Sequence, residues 1–425
     1  MNLGCPCPTF GLDYAQISDL GMRRMNNQDS VAVVVTDDQN SWSSRGHLLM
    51  VADGMGAHAA GELASKLAVD NIPHIYFKLR DLYPPAALRQ AIREVNTLIH
   101  AKGQSAIGFQ GMGTTCSCLV LLPEGALVAH IGDSRVYRLR GNRLAQLTFD
   151  HSLVWEMAAA GHMAEEDVPA YIPKNVITRS LGPHESVNLD LEGPYDAANG
   201  DVFLLCSDGL SGQVSDVEIG AILQCLTPTE AVQTLVDVAN LRGGPDNISI
   251  VVARVVGDDF SRGNQPTLIG GSARGGFRDI FVGGAAIACL FALAFCLVNQ
   301  FWPASAVFAA GLLATCGVFF SKRNRQSMSG ISDRSIGGPY GNGPYRETPC
   351  EPNRKVADGL AEITAKLREL PGGIGVSGPS LDHITAEAKA AVEAGDFSTA
   401  IKRYAAAISC TMQQVRIQRT TTDGV

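Results

Sequence analysis

Five aspartates in this chain stand where apolar, strand-like runs begin or end. Asp53 closes "LLMVA", Asp133 closes "LVAHIG" and Asp208 closes "VFLLCS", while Asp246 in "GGPDNISIVVARV" and Asp29 in "RRMNNQDSVAVVV" each precede a run. In antiparallel sheets the end of one strand lies beside the start of its neighbour. The five carboxylates are therefore expected to converge at one edge of the fold. Carboxylates so gathered raise one another's pKa values unless a positive group lies among them. Carboxylate, carbonyl and water oxygens are hard ligands that suit magnesium or manganese rather than zinc. Gly54 and Gly209 follow two of the aspartates and would let the chain turn sharply and bring a carbonyl near an ion. Two such ions about 4 Å apart can activate a water and clamp a phosphoryl oxygen. Arg24, just upstream of Asp29, is placed to hold the phosphate through a bidentate contact. The chemistry is hydrolysis of a phosphoester. Asp-Gly pairs are also ordinary turn formers, and residue types alone leave that second reading open.

Other chemistries find less support. No His/Cys cluster has zinc-ligand spacing, and no cysteine sits in a Gly/Arg-rich phosphate loop. The 11 cysteines are odd in number and scattered, which fits a reducing compartment better than a disulfide framework. The Cys5/Cys7 pair lacks a second ligand pair. A net charge of -8 argues against nucleic-acid binding, and so against a nuclease built on similar carboxylates. The start, "MNLGCPCPTF", has neither a basic n-region nor an apolar h-region.

The elements that must position these residues fall in 1–256. Short β-like runs recur there (Val31 to Val35, Leu48 to Ala52, Thr115 to Leu122, Leu127 to Ile131, Val202 to Cys206, Ile248 to Val256), bounded by Gly, Asp, Pro and Asn. Two long helical patterns lie between them, and "TPTEAVQTLVDVAN" opens with a capping box, Thr227 with Glu230, and Pro228 at the first helical position. Hairpin-like spacings favour an α+β fold of antiparallel sheets with helices packed outside. Residues 257–276 are a polar, glycine-rich linker. Two uncharged apolar runs follow, 280–298 and 304–320, separated by "NQFWP" and flanked by Arg274 and Arg278 before and Lys322, Arg323 and Arg325 after. They read as a transmembrane helical hairpin with both ends in the cytoplasm. Residues 321–380 are expected to be a mostly disordered linker. Residues 381–416 form a helical pair of tetratricopeptide-like spacing, with Ala388, Gly395, Phe397, Ala400, Tyr404 and Ala407 in place. One such unit cannot bury its apolar face alone, so it must pack on the rest of the chain, on a second copy or on a partner.

The ordered set "RRMNNQDS", "VADGMGAHAAGELAS", "GMGTTCSCLV", "HIGDSRVYRL", "LTFDHS", "VITRSLG", "LLCSDGLSG" and "GGPDNISIVV" resembles the metal-dependent protein phosphatase (PPM) family in its bacterial form, over residues 12–256. The resemblance implies a four-layer αββα sandwich of two antiparallel sheets flanked by helix pairs. It implies two Mn2+ or Mg2+ ions, with a third in many bacterial members. Asp53 would bridge two metals and the Gly54 carbonyl would bind one of them. Asp208 and Asp246 would complete a shell, Asp29 would lie by the metal-bound waters, and Asp133 would help bind the third ion. Arg24 would hold the substrate phosphate, and 157–175 would be a flap. Departures from the family pattern are Gln28 for a Glu, Met55 where eukaryotic members have a His, and Ala57 for a Gly. His58 is more readily a packing residue than an acid. The expected function is a membrane-anchored phosphatase acting on phosphoserine and phosphothreonine in cytoplasmic proteins, opposite a eukaryotic-like Ser/Thr kinase system, in the inner (cytoplasmic) membrane. The alternative is a pseudophosphatase or scaffold that recruits a protein partner through its C-terminal helices.

Overall fold

A computed structural model describes residues 11–56, 59–161, 176–257, 338–368 and 379–422. All of them belong to one compact unit, Met1–Asn264 with Ile336–Val425. The first sheet contains β2 (Asp29–Val34), β3 (His47–Met55), β5 (Cys116–Leu122), β6 (Gly125–Ile131) and β9 (Asp190–Tyr195), in that order, with the short β4 (Gly113–Thr114) beside β3. The second runs β1 (Leu12–Asp19), β11 (Ile248–Val255), β10 (Val202–Cys206), β7 (Arg135–Arg140), β8 (Arg143–Gln146) and β12 (Arg346–Pro349). The pairings that join these strands are antiparallel, as the hairpin spacings predict.

Side-chain parity along the strands builds the layers. On β3, Leu48, Met50 and Ala52 face α2 (Ala60–Lys78) and α3 (Pro84–Ser105) in one apolar cluster. Leu49 and Val51 face the other way, into a core between the sheets with Phe203, Leu205, Val251 and Ala253. On β10, Val202, Leu204 and Cys206 point to α6 (Asp216–Cys225) and α7 (Pro228–Leu241). Adjacent residues go to opposite faces of a strand, and here both faces are covered. That is why these antiparallel strands read as unbroken apolar runs rather than alternating ones. The Thr227/Glu230 capping box forms as expected, and Ser215 with Glu218 makes a second one at α6. A short helix, α1 (Gln39–Arg45), links β2 to β3.

The C-terminal part differs from expectation. Within 321–380, expected as a mostly disordered linker, residues 338–368 are folded. Tyr340 exchanges two backbone hydrogen bonds with Gly193, and the Tyr345 hydroxyl donates to Glu192 Oε1 at 2.5 Å. Arg346–Pro349 then pairs with β8, Cys350 is buried against Gly220, and α8 (Arg354–Arg368) follows. Tyr340 and Tyr345 anchor this glycine- and proline-rich stretch to the rest of the fold, so composition misled where individual residues decide. The expected helical pair is present as α9 (Pro379–Glu393) and α10 (Phe397–Thr422). It packs on the rest of the chain: Ala388, Ala400, Ile401, Tyr404 and Ile408 share one cluster with Ile222, Leu235 and Val236 of α6 and α7. The membrane helices expected at 280–298 and 304–320, with linker 257–276, lie outside the described residues apart from Gly257. Among the described residues no helix is long and apolar enough to cross a membrane.

Candidate active site

The strand ends bring the aspartates together as the sequence predicts. Asp29, the first residue of β2, is directly opposite Asp53, near the end of β3. Asp208 follows β10 at the start of a one-turn helix, α5 (Asp208–Ser211), and Asp246 precedes β11, the strand beside it. Asp133 lies just past β6. Two close approaches explain the glycines. A Cβ at Gly54 would lie 2.1 Å from the Gly61 carbonyl oxygen, and one at Gly209 would lie 2.0 Å from that of Asn247. No side chain larger than hydrogen fits either place.

The electrostatics are those of an acidic cluster that wants a cation. Burial comes first and neighbouring carboxylates add to it. Together they push Asp29 up to about 7, Asp133 up to about 8 and Asp208 up to about 6, and they hold Asp53 well above the usual aspartate range. One oxygen each of Asp29, Asp133 and Asp208 is buried without a hydrogen-bond partner. Buried polar atoms are nearly always satisfied, so three orphaned carboxylate oxygens in one place fit a hard divalent ion. Asp53 and Asp208 are in hydrogen-bonding contact. No three acidic, histidine or cysteine side chains among the described residues close into a ready cage.

Arg24 Nη2 donates to Asp246 Oδ2 at 2.7 Å at the exposed rim. That hydrogen bond, with the charges of Asp53 and Asp208 behind it, pushes the arginine's pKa up. Gln28, the departure from the usual Glu, donates its side-chain amide to the Gly56 carbonyl (3.3 Å), while its backbone carbonyl accepts from the Gly54 N–H (3.1 Å). Residues 57 and 58, including His58, and most of the expected flap at 157–175 lie outside the described residues. The short helix α4 (Leu153–Ala159) leads into that segment.

Sequence reasoning missed the residues that hold the carboxylates. Ser207 Oγ donates to Asp29 Oδ2 at 2.7 Å and accepts from Ser249 N–H at 3.0 Å, tying the two sheets together at the site. Thr115 Oγ1 takes the Asp53 N–H at 2.9 Å. Asn247 accepts from the Gln28 N–H at 2.9 Å and donates to the Leu20 and Asn26 carbonyls. His151 Nδ1 accepts from the Gly132 N–H at 3.0 Å, which leaves the ring proton on Nε2 for Asp190 Oδ2 at 2.8 Å, and so fixes the loop bearing Asp133. A partial signal was available for two of them, the polar residues beside the aspartates in "LLCSDG" and "PDN".

Comparison with known proteins agrees. The family model for protein phosphatase 2C matches residues 22–240. Serine/threonine protein phosphatase PstP of Mycobacterium tuberculosis is 38% identical over 267 residues, 62% of this chain and 48% of that protein, so the match spans about half of PstP. Protein phosphatase PhpP of Streptococcus pneumoniae is 34% identical over 257 residues, 58% of this chain and 99% of PhpP. The crystal structure of the M. tuberculosis phosphatase PstP/Ppp matches with a TM-score of 0.50 at 37% identity, covering 58% of this chain and 99% of that one. The chain belongs to the protein phosphatase 2C family.

Proposed function

We propose that the chain is a metal-dependent protein serine/threonine phosphatase, anchored in the cytoplasmic membrane by residues 280–298 and 304–320, that acts on phosphorylated cytoplasmic proteins. The observation that carries the activity is the set of orphaned buried carboxylate oxygens around Asp53, with a guanidinium at the rim. Asp53, the Gly54 carbonyl, Asp208 and Asp246 would hold two Mn2+ or Mg2+ ions, and Asp133 would help hold a third. When bound, the ions supply positive charge to the phosphoryl oxygens and make water more acidic. Arg24 binds the phosphate at the rim and orients it. Asp29, with Oδ2 fixed by Ser207, accepts the proton of the attacking water at Oδ1. Water attacks phosphorus directly, the bond from phosphorus to the serine or threonine oxygen breaks, that oxygen takes a proton from water and leaves as the hydroxyl, and no phosphoenzyme forms. The test is manganese-dependent release of phosphate from a phosphothreonine peptide and from p-nitrophenyl phosphate. The wild-type chain is expected to turn over both, and Asp208→Asn to lose at least about a hundredfold in kcat. Equal rates with a chelator present would sink the reading.

The same catalytic body lies on both sides of 258–337, as Gly257 and Gly338 both belong to it. A segment that enters and leaves the same body can cross a membrane only an even number of times, and the two-helix hairpin meets that condition. Protease protection in sealed inner-membrane vesicles tests it: the 1–257 and 338–425 parts should be cleaved or protected together. A eukaryotic-like Ser/Thr kinase system would supply the substrates. The scaffold alternative is weakened because α9 and α10 use their apolar faces on this chain.

A further inference from the structure

The C-terminal helix does more than cover α6 and α7. Near its end, Arg416 Nη2 donates to Asp237 Oδ1 on α7 at 2.6 Å and lies 3.9 Å from Asp19 Oδ2 at the end of β1. Asp237 is fully buried, and burial lifts its pKa to about 6, with the charge of Arg416 the largest force against that rise. Asp19 Oδ1 in turn accepts from Asn240 Nδ2 and from the Gly21 N–H, both at 2.9 Å. The next contact, Met22 N–H to the Gly244 carbonyl at 2.8 Å, joins the two loops that carry Arg24 and Asp246. Those two residues then meet at the rim of the site. Polar contacts joined by short backbone steps thus lead from α10 to the arginine that takes the phosphate.

We propose that Arg416 is a positioning residue for the site: by holding Asp237 and Asp19 it sets the register of the Arg24 loop against the Asp246 loop. Arg416 lies far beyond the stretch matched by the family model, which ends at residue 240. The device therefore belongs to this chain's C-terminal addition rather than to the matched core. The loop bearing Arg24 is held at its root by Asp19 and along its length by Asn247. Loss of Arg416 leaves Asp237 buried on α7 without a cationic partner, held by Gln233 Nε2 at 3.0 Å, and frees the root of that loop. The consequence for catalysis falls on substrate binding rather than on the chemical step.

The inference rests on the phosphatase reading, and its test separates the two. Arg416→Met is expected to raise KM for a phosphothreonine peptide about three- to tenfold with kcat little changed, and Arg416→Lys to recover part of the loss. In an Arg24→Ala background the Arg416→Met change should add nothing further, because the arginine it positions is gone. The double variant Asp237→Asn/Arg416→Met removes the buried charge, so it should regain thermal stability and still show the raised KM, since the Asp19 contact stays lost. Independently of turnover, hydrogen exchange in residues 20–27 should quicken in Arg416→Met. A wild-type chain with no turnover would defeat the phosphatase reading and leave the exchange result to decide this one. An unchanged KM and unchanged exchange, or the same KM effect in the Arg24→Ala background, would overturn it.

Discussion

Asp29, Asp133 and Asp208 are carboxyls raised by burial to about 7, 8 and 6, whereas an aspartate in the unfolded chain titrates near about 4. A folded-state pKa above the unfolded value means that the folded state holds protons the unfolded chain has released. Each such group leaves stability untouched below about pH 4 and withdraws it progressively as pH rises through the folded value. With a chelator present, the melting temperature should therefore fall between pH 5 and pH 8. Manganese should restore it, and by more at pH 8 than at pH 5. Thermal melts with and without the ion measure this, and parallel pH profiles would refute the account of the cluster. The acidic residues themselves were legible in the sequence, because strand ends adjoin strand starts in antiparallel sheets. Ser207, Thr115, Asn247 and His151 were less so, because their partners come from segments distant in the chain: Ser207 serves Asp29, and Asn247 serves Gln28. A hydroxyl beside an aspartate signals a turn and a site equally well until the partner strand is placed.

Among the elements, β12 and α8 to α10 depart furthest from what patterning suggests. β12 spans only Arg346–Pro349, carries two charges and sits at a sheet edge, so it shows neither an apolar run nor a useful alternation. Its position comes from the tyrosines before it and Cys350 after it. The pairing of α9 and α10 was readable from alanine and aromatic spacing. What they pack on was not, because an apolar stripe does not name its partner. Ile401 is fully buried in the same cluster as Leu235 and Val236, and Ile401→Ala should cost about 2–5 kcal/mol. Urea unfolding followed by both tryptophan fluorescence and far-ultraviolet dichroism should shift as one transition. A separate early transition for the C-terminal helices would show that they fold apart from the catalytic body.

For the whole molecule, 258–337 is an insertion into one folded body rather than a boundary between two. Its stems rest on neighbouring points of that body: Gly257 N–H donates to Asn199 Oδ1 at 3.2 Å, and Gly338 packs against Gly193 and Pro194. Residues 193 and 199 are at most roughly 21 Å apart along even a fully extended chain, within reach of a ten-residue Gly/Ser linker, whose ends average roughly 17 Å apart. Replacing 258–337 with such a linker should give a folded protein with manganese-dependent turnover within about twofold of the full chain in detergent. A truncated chain that ends at residue 257, lacking β12 and α8 to α10, should be much less stable. Equal melting temperatures for the two would contradict the fold-back. The pairing of β1 with β11 also has a bearing on how the protein is made. β1 has no sheet neighbour until β11, more than 200 residues further along, has been translated. The sheet that carries Asp208 and Asp246 can therefore close only after β11 has left the ribosome, and until then β1 must stay unpaired and accessible to other strands.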